Sequence, residues 1–326
     1  MEDHKPWALF SGVGEKGFLE DFADIIRPHF HLISLEEFLP KPHLHGPKIQ
    51  ALFLWNNRPK VEPSLLRLLP SLKVIANSGV GVDHLDVPYL AGLGLKMANT
   101  PDVVSDATAD MAMGLLLASA RLIVEGHQLA VHPDPPRCGI DLYGTEVTGA
   151  TLGIIGMGSI GYKIAKRAKG FDMNILYHNR NRRSVEDEQA VGASYRGNKD
   201  DLLKESDFVM LAVALTPETT GLIGHGELTA MKPTATLINV SRGPVVDQDA
   251  LVEALQSGTI HAAALDVTYP EPLPRDHPLL SLPNAVITPH LGTNTLATSR
   301  RMVQGSVESA LAALKGRPIP NEVKPE

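Results

Sequence analysis

The stretch Thr151-Leu-Gly-Ile-Ile-Gly-Met-Gly-Ser-Ile-Gly161 decides the fold of this chain. A short apolar run, Leu152–Ile155, predicts a buried strand, and apolar residues at helical spacing from Ile160 onward predict a helix. Between them lies Gly156-Met-Gly158-Ser-Ile-Gly161, a G-x-G-x-x-G turn. A strand, this turn and a helix in that order are typical of a unit that binds the pyrophosphate of a dinucleotide on backbone N–H groups.

Each glycine of this turn has its own expected purpose. Gly156 permits the tight turn, Gly158 lets the pyrophosphate approach the backbone, and Gly161 lets the helix pack close to the strand. A structural turn without a ligand is the alternative, since 28 glycines in 326 residues produce such spacings by chance. The turn lies near the middle of the chain, so another folded unit is expected before it.

Composition and charge restrict the class of protein. A length of 326 residues predicts about two domains, and 43% hydrophobic with 21% charged residues indicates a globular protein with a large core. The net charge of −7 argues against broad binding to nucleic acid or an acidic membrane, which needs a basic face. Cys138 is the single cysteine, so an intrachain disulfide is excluded. No apolar signal segment is seen at the N-terminus, and the cytoplasm is the expected location.

Strands and helices alternate along the chain. In the first hundred residues, apolar runs predict strands at 7–10, 51–55 and 72–76. After the glycine turn, further runs up to residue 288 predict strands separated mostly by helices. This alternation indicates an α/β class with two doubly wound, parallel-sheet domains. Residues 105–121 predict a long buried helix with Ser105 as its N-cap, and 293–315 predict a final helix that crosses back to the first domain.

The residues after the second strand of the glycine unit indicate which nucleotide binds. In NAD sites an acidic residue about twenty positions past the glycines accepts a hydrogen bond from the ribose 2′-OH. Here the sequence reads His178-Asn-Arg-Asn-Arg-Arg183, with no acidic residue between Asp172 and Glu186. Arginine binds phosphate through two donors, so Asn179 and Arg180 are expected to bind NADP(H), with NAD(H) binding more weakly. A solvated basic turn is the alternative.

Three later segments carry groups suited to catalysis. They are Asn239-Val-Ser-Arg242, Asp266-Val-Thr-Tyr-Pro-Glu271 and Thr288-Pro-His290. All follow predicted strands, at the edge where open α/β sheets bind ligands. Together with Ser78-Gly-Val-Gly-Val-Asp-His-Leu-Asp86 and the glycine turn, they resemble the D-2-hydroxyacid dehydrogenase family, and within it the glyoxylate/hydroxypyruvate reductases. The resemblance covers nearly the whole chain.

This resemblance implies a domain arrangement. A flavodoxin-like substrate-binding domain, residues 1–103 plus 293–326, contains an inserted Rossmann NADP-binding domain, residues 104–292, which explains the mid-chain position of the glycine turn. The implied active site lies in the cleft between the domains and needs no metal. The implied assembly is a homodimer that packs on the helix at 105–121.

The resemblance also implies a role for each matching residue. His290 donates a proton to the substrate carbonyl oxygen, and Glu271 orients the imidazole and favours its protonated form, since an ordinary histidine titrates near pH ~6.5. Arg242 binds the substrate carboxylate and polarises the carbonyl. Backbone N–H groups of Val80 and Gly81 hold the other carboxylate oxygen. The implied cofactor contacts are Ser159, Ile160 and Gly161 at the pyrophosphate, and Asp266, Val240 and Gly292 at the nicotinamide end.

The loop at 131–149 departs from the reductase pattern, because it lacks the tryptophan commonly found there and has Arg137 and Tyr143 as its bulky residues. Leu54 and Trp55, at the end of an early strand, are therefore expected to shape the substrate pocket, and a large Trp55 favours a small acid. The implied reaction is NADPH-dependent reduction of glyoxylate and hydroxypyruvate to glycolate and D-glycerate. Two alternatives stay open: a related enzyme for bulkier 2-ketoacids, and a nucleotide-sensing, corepressor-like binding protein.

Overall fold

The computed structural model describes residues 5–14, 17–133 and 142–325. Arg137 and Cys138, considered above, lie outside the described residues. The chain divides into two units, Met1–Val104 with Asn294–Glu326, and Ser105–Thr293. Each unit has its own sheet and its own apolar core.

The first unit combines the N-terminal third of the chain with its last helix. Its elements, numbered in chain order, are β1 (Trp7–Phe10), α1 (Glu20–Ile26), β2 (His31–Ser34), α2 (Leu35–Phe38), α3 (Pro42–His45), β3 (Ile49–Trp55), α4 (Pro63–Leu66), β4 (Val74–Ser78), α5 (Val87–Gly92), β5 (Lys96–Ala98), α13 (Leu296–Leu314) and β13 (Glu322–Val323). Among the described residues, the sheet has the order β13-β5-β4-β3-β1-β2. Strands β1 to β5 are parallel in the flavodoxin-like order, and β13 pairs antiparallel with β5.

Both faces of this sheet are covered by apolar residues. Successive side chains of a strand point to opposite faces, so neighbouring residues of β3 enter different clusters. On one face Trp55 packs in a cluster with Met302 and Val303 of α13. On the other face Leu54 packs with Leu9 and neighbouring leucines and isoleucines. Helix α13 therefore completes the core of the first unit, as the sequence predicts.

The second unit is continuous in sequence. Its elements are α6 (Ser105–Ala120), α7 (Ile123–Ala130), β6 (Thr151–Ile155), α8 (Ser159–Lys169), β7 (Asn174–His178), α9 (Val185–Val191), β8 (Ala193–Tyr195), α10 (Lys199–Glu205), β9 (Phe208–Leu211), α11 (His225–Ala230), β10 (Thr236–Asn239), α12 (Gln248–Ser257), β11 (Ala262–Leu265) and β12 (Ala285–Ile287). All strand pairs are parallel, in the order β12-β11-β10-β9-β6-β7-β8. This is the Rossmann order with one added strand, β12, at an edge.

The predicted α/β class with two doubly wound sheets is confirmed. Four short strands, β2, β5, β8 and β13, were not predicted, since each has two to four residues and lies at or next to a sheet edge. The N-cap prediction for Ser105 is wrong, because α6 already includes this residue, and its Oγ is buried with no hydrogen-bond partner among the described residues.

Helix α6 is buried mainly by its own unit. Its residues Ala112 and Leu116 pack with Leu152 of β6 and Ile164 of α8. In the described part of the chain no single helix is long and apolar enough to cross a bilayer. Helices α6 and α7 meet this length and composition only when taken together, and the pair is bent by 62°.

Candidate active site

The glycine turn forms the cradle that its sequence predicts. It begins where β6 ends, and α8 begins at Ser159 with Gly158 as its N-cap. Gly156 has φ +100°, and a Cβ there would lie 2.5 Å from the carbonyl oxygen of Ala212. A Cβ at Gly161 would collide with the carbonyl oxygen of Gly156. Two of the glycines are therefore required by the protein's own packing.

Gly158 differs from the other two glycines of the turn. A Cβ added at Gly158 would meet no protein atom within 4 Å, so the space beside its backbone is open. Its position at the start of α8 directs the N–H groups of the first helical turn toward that space. Ile160 is partly buried against the core of the unit, so it contributes backbone rather than side chain to this surface. These residues fit the pyrophosphate of a dinucleotide.

The basic turn after β7 contains three arginines with different partners. Arg182 makes two hydrogen bonds of 2.8 Å with Glu188, and these, together with a hydrogen bond from the Tyr177 hydroxyl, lower the pKa of that carboxyl to about 2. Arg183 bonds Asp187 and the carbonyl oxygen of Met157. Arg180 is exposed and has no hydrogen bond or ion pair within the described residues. Of the three, Arg180 is the one whose guanidinium is not already bound to protein.

Asn179, which is predicted to bind the cofactor, also makes two hydrogen bonds within the protein. Its Oδ1 accepts a hydrogen bond from the N–H of Met157 at 3.3 Å, and its Nδ2 donates to the carbonyl oxygen of Asn181 at 2.9 Å. The side chain therefore joins the basic turn to the glycine turn.

His290 and Glu271 lie in direct contact. Nδ1 of His290 and Oε2 of Glu271 are 2.9 Å apart, and Oε1 of Glu271 accepts the N–H of Thr268 at 3.1 Å. Burial raises the pKa of Glu271, but the hydrogen bond and charge of His290, the Thr268 N–H and the charge of Arg242 outweigh it and lower that pKa. The carboxylate is therefore the stable form beside the imidazole, which leaves Nε2 as the ring nitrogen that faces away from Glu271.

Arg242 belongs to the same cluster. The turn that carries it is fixed by Asn239, whose Nδ2 donates to the Arg242 carbonyl at 3.0 Å and whose Oδ1 accepts from Ser241. A Cβ at the next residue, Gly243, would collide with the carbonyl oxygen of Thr268. Backbone therefore packs on backbone here, which brings the Arg242 turn against the loop that carries Glu271.

Asp266 holds the segment that carries His290. Its carboxylate, 2% exposed, accepts hydrogen bonds from the Thr288 hydroxyl at 2.6 Å, the Leu291 N–H at 2.7 Å and the Gly292 N–H at 2.8 Å. Its carbonyl oxygen accepts the His290 N–H at 2.8 Å, where His290 has φ +57°. The carboxylate is buried and stabilises the turn, with Gly292 as one of its donors, and its contact with the nicotinamide stays a prediction.

Val80 and Gly81 lie in the first unit, directly after β4. The carbonyl oxygen of Val80 accepts from Asn99 Nδ2 at 2.8 Å, and that of Gly81 accepts from Asn77 Nδ2 at 2.9 Å. Thr100 N–H binds the carbonyl of Gly79. Because a trans peptide points its N–H opposite to its carbonyl, the N–H groups of Val80 and Gly81 point away from these partners, and neither meets an acceptor in the described residues. Two such donors suit a carboxylate.

Two predicted pocket residues, Leu54 and Trp55, and one predicted cofactor contact, Val240, are mainly core residues. Leu54 has no exposed surface, so the prediction that it shapes the substrate pocket is wrong. Trp55 is 8% exposed and its ring contacts Phe18 and Phe22 at centroid distances of 5.4 and 5.3 Å. Val240, directly after β10, is 6% exposed in the core of the second unit. Leu54 and Trp55 are neighbours on β3, so their side chains point to opposite faces of the sheet and enter the apolar cluster on each face.

A family model shows to which protein family the chain belongs. The model described as "D-isomer specific 2-hydroxyacid dehydrogenase, NAD binding domain" matches residues 113–292, which include the glycine turn and the three catalytic candidates. The chain belongs to this dehydrogenase family. The predicted family resemblance is thereby confirmed.

Curated relatives in this dehydrogenase family cover most of the chain. The glyoxylate reductase of Pyrococcus furiosus is 43% identical over 272 residues, 82% of this chain and 80% of its own length. The glyoxylate/hydroxypyruvate reductase B of Serratia proteamaculans is 39% identical over 315 residues, 95% of this chain and 96% of its own.

A solved structure of the dehydrogenase family has the same fold. The NADPH-dependent glyoxylate/hydroxypyruvate reductase of Sinorhizobium meliloti, in complex with NADP and malonate, superposes with a TM-score of 0.85 at 30% identity, covering 98% of this chain and 97% of that one. These proteins are oxidoreductases. As a member of the D-2-hydroxyacid dehydrogenase family, this chain belongs to the same class of enzyme.

Sequence reasoning missed several residues that position this dehydrogenase's candidate groups. Asn77 and Asn99 orient the peptides of Val80 and Gly81, and Asn77 is buried at 3% exposure near the end of β4. Gln248, at the start of α12, accepts the N–H of Tyr269 at 2.7 Å and donates to its carbonyl oxygen, which fixes the loop before Glu271. A polar residue inside an apolar run was the available signal for Asn77. Among the described residues, no cluster of His, Cys, Asp and Glu is arranged to hold a metal ion.

Proposed function

We propose that this protein reduces glyoxylate and hydroxypyruvate to glycolate and D-glycerate, with NADPH as the preferred reductant. The observation that carries the proposal is the His290–Glu271 pair, 2.9 Å apart, beside Arg242 at the carboxyl edge of the nucleotide-binding sheet. An imidazole paired with a carboxylate suits proton donation to a carbonyl oxygen, and a guanidinium suits binding of a carboxylate. The named activities of the Pyrococcus and Serratia relatives support the choice of substrates.

The protein's own groups divide the reaction between them. NADPH, when bound, would supply the hydride that adds to the carbonyl carbon. His290 Nε2 would donate the proton to the carbonyl oxygen, while Glu271 at Nδ1 stabilises the imidazolium before transfer and fixes the ring. Arg242 would bind the substrate's carboxylate and withdraw electron density from its carbonyl. The outward N–H groups of Val80 and Gly81 would bind a substrate carboxylate.

The preference for NADPH is proposed from Arg180. This guanidinium is exposed just after β7 and makes no hydrogen bond or ion pair among the described residues, although its charge helps to lower the pKa of Glu218. A 2′-phosphate would gain a charge-assisted hydrogen bond from it that a 2′-hydroxyl lacks. NAD(H) should bind the same cradle more weakly. The NADP complex of the Sinorhizobium neighbour is consistent with this choice.

The two units would then have separate tasks. The second unit would bind the coenzyme, because it contains the glycine turn and the basic turn, and the first would contribute the substrate-binding turn at Val80 and Gly81. We also propose a homodimer, which the family resemblance implies and which the exposed apolar side chains of Ile123 and Val131, 55% and 64% exposed, support. Light scattering at micromolar concentration tests the assembly.

A substrate and coenzyme panel tests the proposal. NADPH and NADH oxidation is followed with glyoxylate, hydroxypyruvate, pyruvate and phenylpyruvate, and the two small acids with NADPH should give the highest kcat/KM. His290→Ala should lower kcat by about 10²- to 10⁴-fold, the usual contribution of a general acid. His261→Ala, at an exposed histidine of the same unit, is the matched control. Faster turnover of phenylpyruvate, or equal use of NADH, would overturn the substrate or the coenzyme assignment, respectively.

A further inference from the structure

The backbone of Met157, inside the glycine turn, is bound from two directions by the basic turn. Its N–H donates to Asn179 Oδ1 at 3.3 Å, and its carbonyl oxygen accepts from Arg183 Nε at 2.7 Å. The N–H of the preceding Gly156 donates to the carbonyl oxygen of His178 at 3.0 Å. Three hydrogen bonds therefore join the two turns that a dinucleotide would contact.

Arg183 is itself held in place from several sides. Its NH1 lies 2.8 Å from Asp187 Oδ2, its guanidinium lies 4.7 Å from the ring centroid of Tyr162, and its own N–H donates to the Tyr177 hydroxyl at 3.0 Å. Its side chain is only 26% exposed. A guanidinium with these contacts has a fixed orientation, in contrast to the exposed Arg180.

The bond to Met157 has a direct consequence for the next residue. The carbonyl of Met157 and the N–H of Gly158 belong to one planar trans peptide and point in opposite directions. Arg183, by fixing the carbonyl, turns the Gly158 N–H away from the basic turn. That N–H meets no acceptor in the described residues, and the space beside Gly158 is open. This is the donor expected to face a pyrophosphate.

We propose that Arg183 is a positioning residue that sets the donor geometry of the glycine turn and so controls affinity for the part common to NADPH and NADH. It does not read the 2′-phosphate; that recognition belongs to Arg180. The assignment of Arg180 rests on the proposed function, whereas the role of Arg183 requires only that the cradle binds a dinucleotide.

Three matched substitutions of neighbouring arginines test this division in the full-length protein. Dissociation constants for NADPH and NADH are measured by fluorescence titration, well below the unfolding temperature of each variant. Arg183→Gln should weaken both nucleotides by the same factor, about tenfold or more, which is the loss of one charge-assisted hydrogen bond. Arg180→Gln should weaken NADPH alone. Arg182→Gln breaks the pair with Glu188 and should leave both constants within about twofold.

The outcomes separate the two proposals. If Arg183→Gln weakens only NADPH, Arg183 is a 2′-phosphate ligand and the positioning role is wrong; if it weakens neither, the bond to Met157 has no effect on binding and the role is equally wrong. If Arg180→Gln changes nothing while Arg183→Gln weakens both, the coenzyme preference fails and the positioning role stands. Arg183→Lys keeps the charge but lacks the forked donors of arginine, so this variant should also bind both nucleotides more weakly. It provides the test if Arg183→Gln does not fold.

Discussion

Asp266→Asn tests whether the buried carboxylate near the catalytic histidine is structural. The carboxylate accepts two backbone N–H groups through different oxygens, Leu291 through Oδ1 and Gly292 through Oδ2, and also the hydroxyl of Thr288. An asparagine has one acceptor oxygen and one NH₂ donor. Whichever way the amide is turned, its NH₂ group faces one of the two backbone N–H groups, which cannot rotate away.

The size of the effect follows from these contacts. A buried donor left without a partner costs about 1–3 kcal/mol, and the remaining hydrogen bonds lose the extra strength of a charged acceptor, about 0.5–1.5 kcal/mol each. With Asp266 only 2% exposed, water does not replace the lost acceptor. We expect the free energy of unfolding of the second unit to fall by about 3 kcal/mol, a large part of the roughly 5–15 kcal/mol by which a folded domain is usually stable.

Two measurements on the nucleotide-free protein detect this change. Urea denaturation followed by circular dichroism gives the free energy, and hydrogen exchange of a peptide spanning 285–293 reports the turn itself, which matters because two units need not unfold together. Asp249→Asn, an exposed position in the first turn of α12, should change stability by less than about 0.5 kcal/mol. If Asp266→Asn behaves like this control in both measurements and only nucleotide binding suffers, the structural role is refuted and the predicted contact with the nicotinamide is restored.

Three further changes have defined outcomes. Glu271→Gln removes the charge that faces His290 and weakens the contact that orients its ring, so kcat for ketoacid reduction should fall about 10- to 100-fold; an unchanged kcat would exclude the pair from proton transfer. Hydrogen bonds, first that of Arg182, lower the pKa of Glu188 to about 2. The stabilisation by Glu188 is therefore fully present above the usual glutamate pKa near ~4.3 and is lost as the pH falls through the lowered pKa. Glu188→Gln should reduce the loss of unfolding free energy over this acidic range in urea denaturation, and a wild-type dependence on pH would contradict the prediction. Gly161→Ala places a Cβ against a backbone oxygen of the glycine turn, so titration should show at least about tenfold weaker nucleotide binding, and wild-type affinity would show that the turn adjusts without cost.

The parts of the fold and the site that sequence could predict are those in which local pattern and function coincide. The glycine turn between β6 and α8 is readable because a strand pattern, a fixed glycine spacing and a helix pattern occur in sequence. Arg242, Glu271 and His290 each follow a strand of one sheet, so parallel topology alone places them at the same edge. The contact between His290 and Glu271, and the charge of Arg242 beside them, are consequences of that topology.

Partner choice and side-chain direction were beyond sequence reasoning. The run from Arg180 to Arg183 looks like one basic patch, and only tertiary structure shows that Glu188 and Asp187 bind two of its members. Leu54 fails as a pocket residue because the register of β3 turns it into a core. Asp266 is implied as a cofactor contact by the family resemblance, but its sequence position gives no sign of the backbone donors that surround its carboxylate.

The return of α13 to the first unit orders the events of folding during synthesis. The second unit is a single uninterrupted stretch, so its strands and helices are all available once residue 293 has left the ribosome. The first unit begins to emerge earlier, yet part of one face of its sheet, which α1 does not cover alone, stays exposed until Met302 and Val303 have been made. The half of the protein that is translated first is therefore completed last, and its apolar sheet face needs protection from aggregation for most of the time that translation takes.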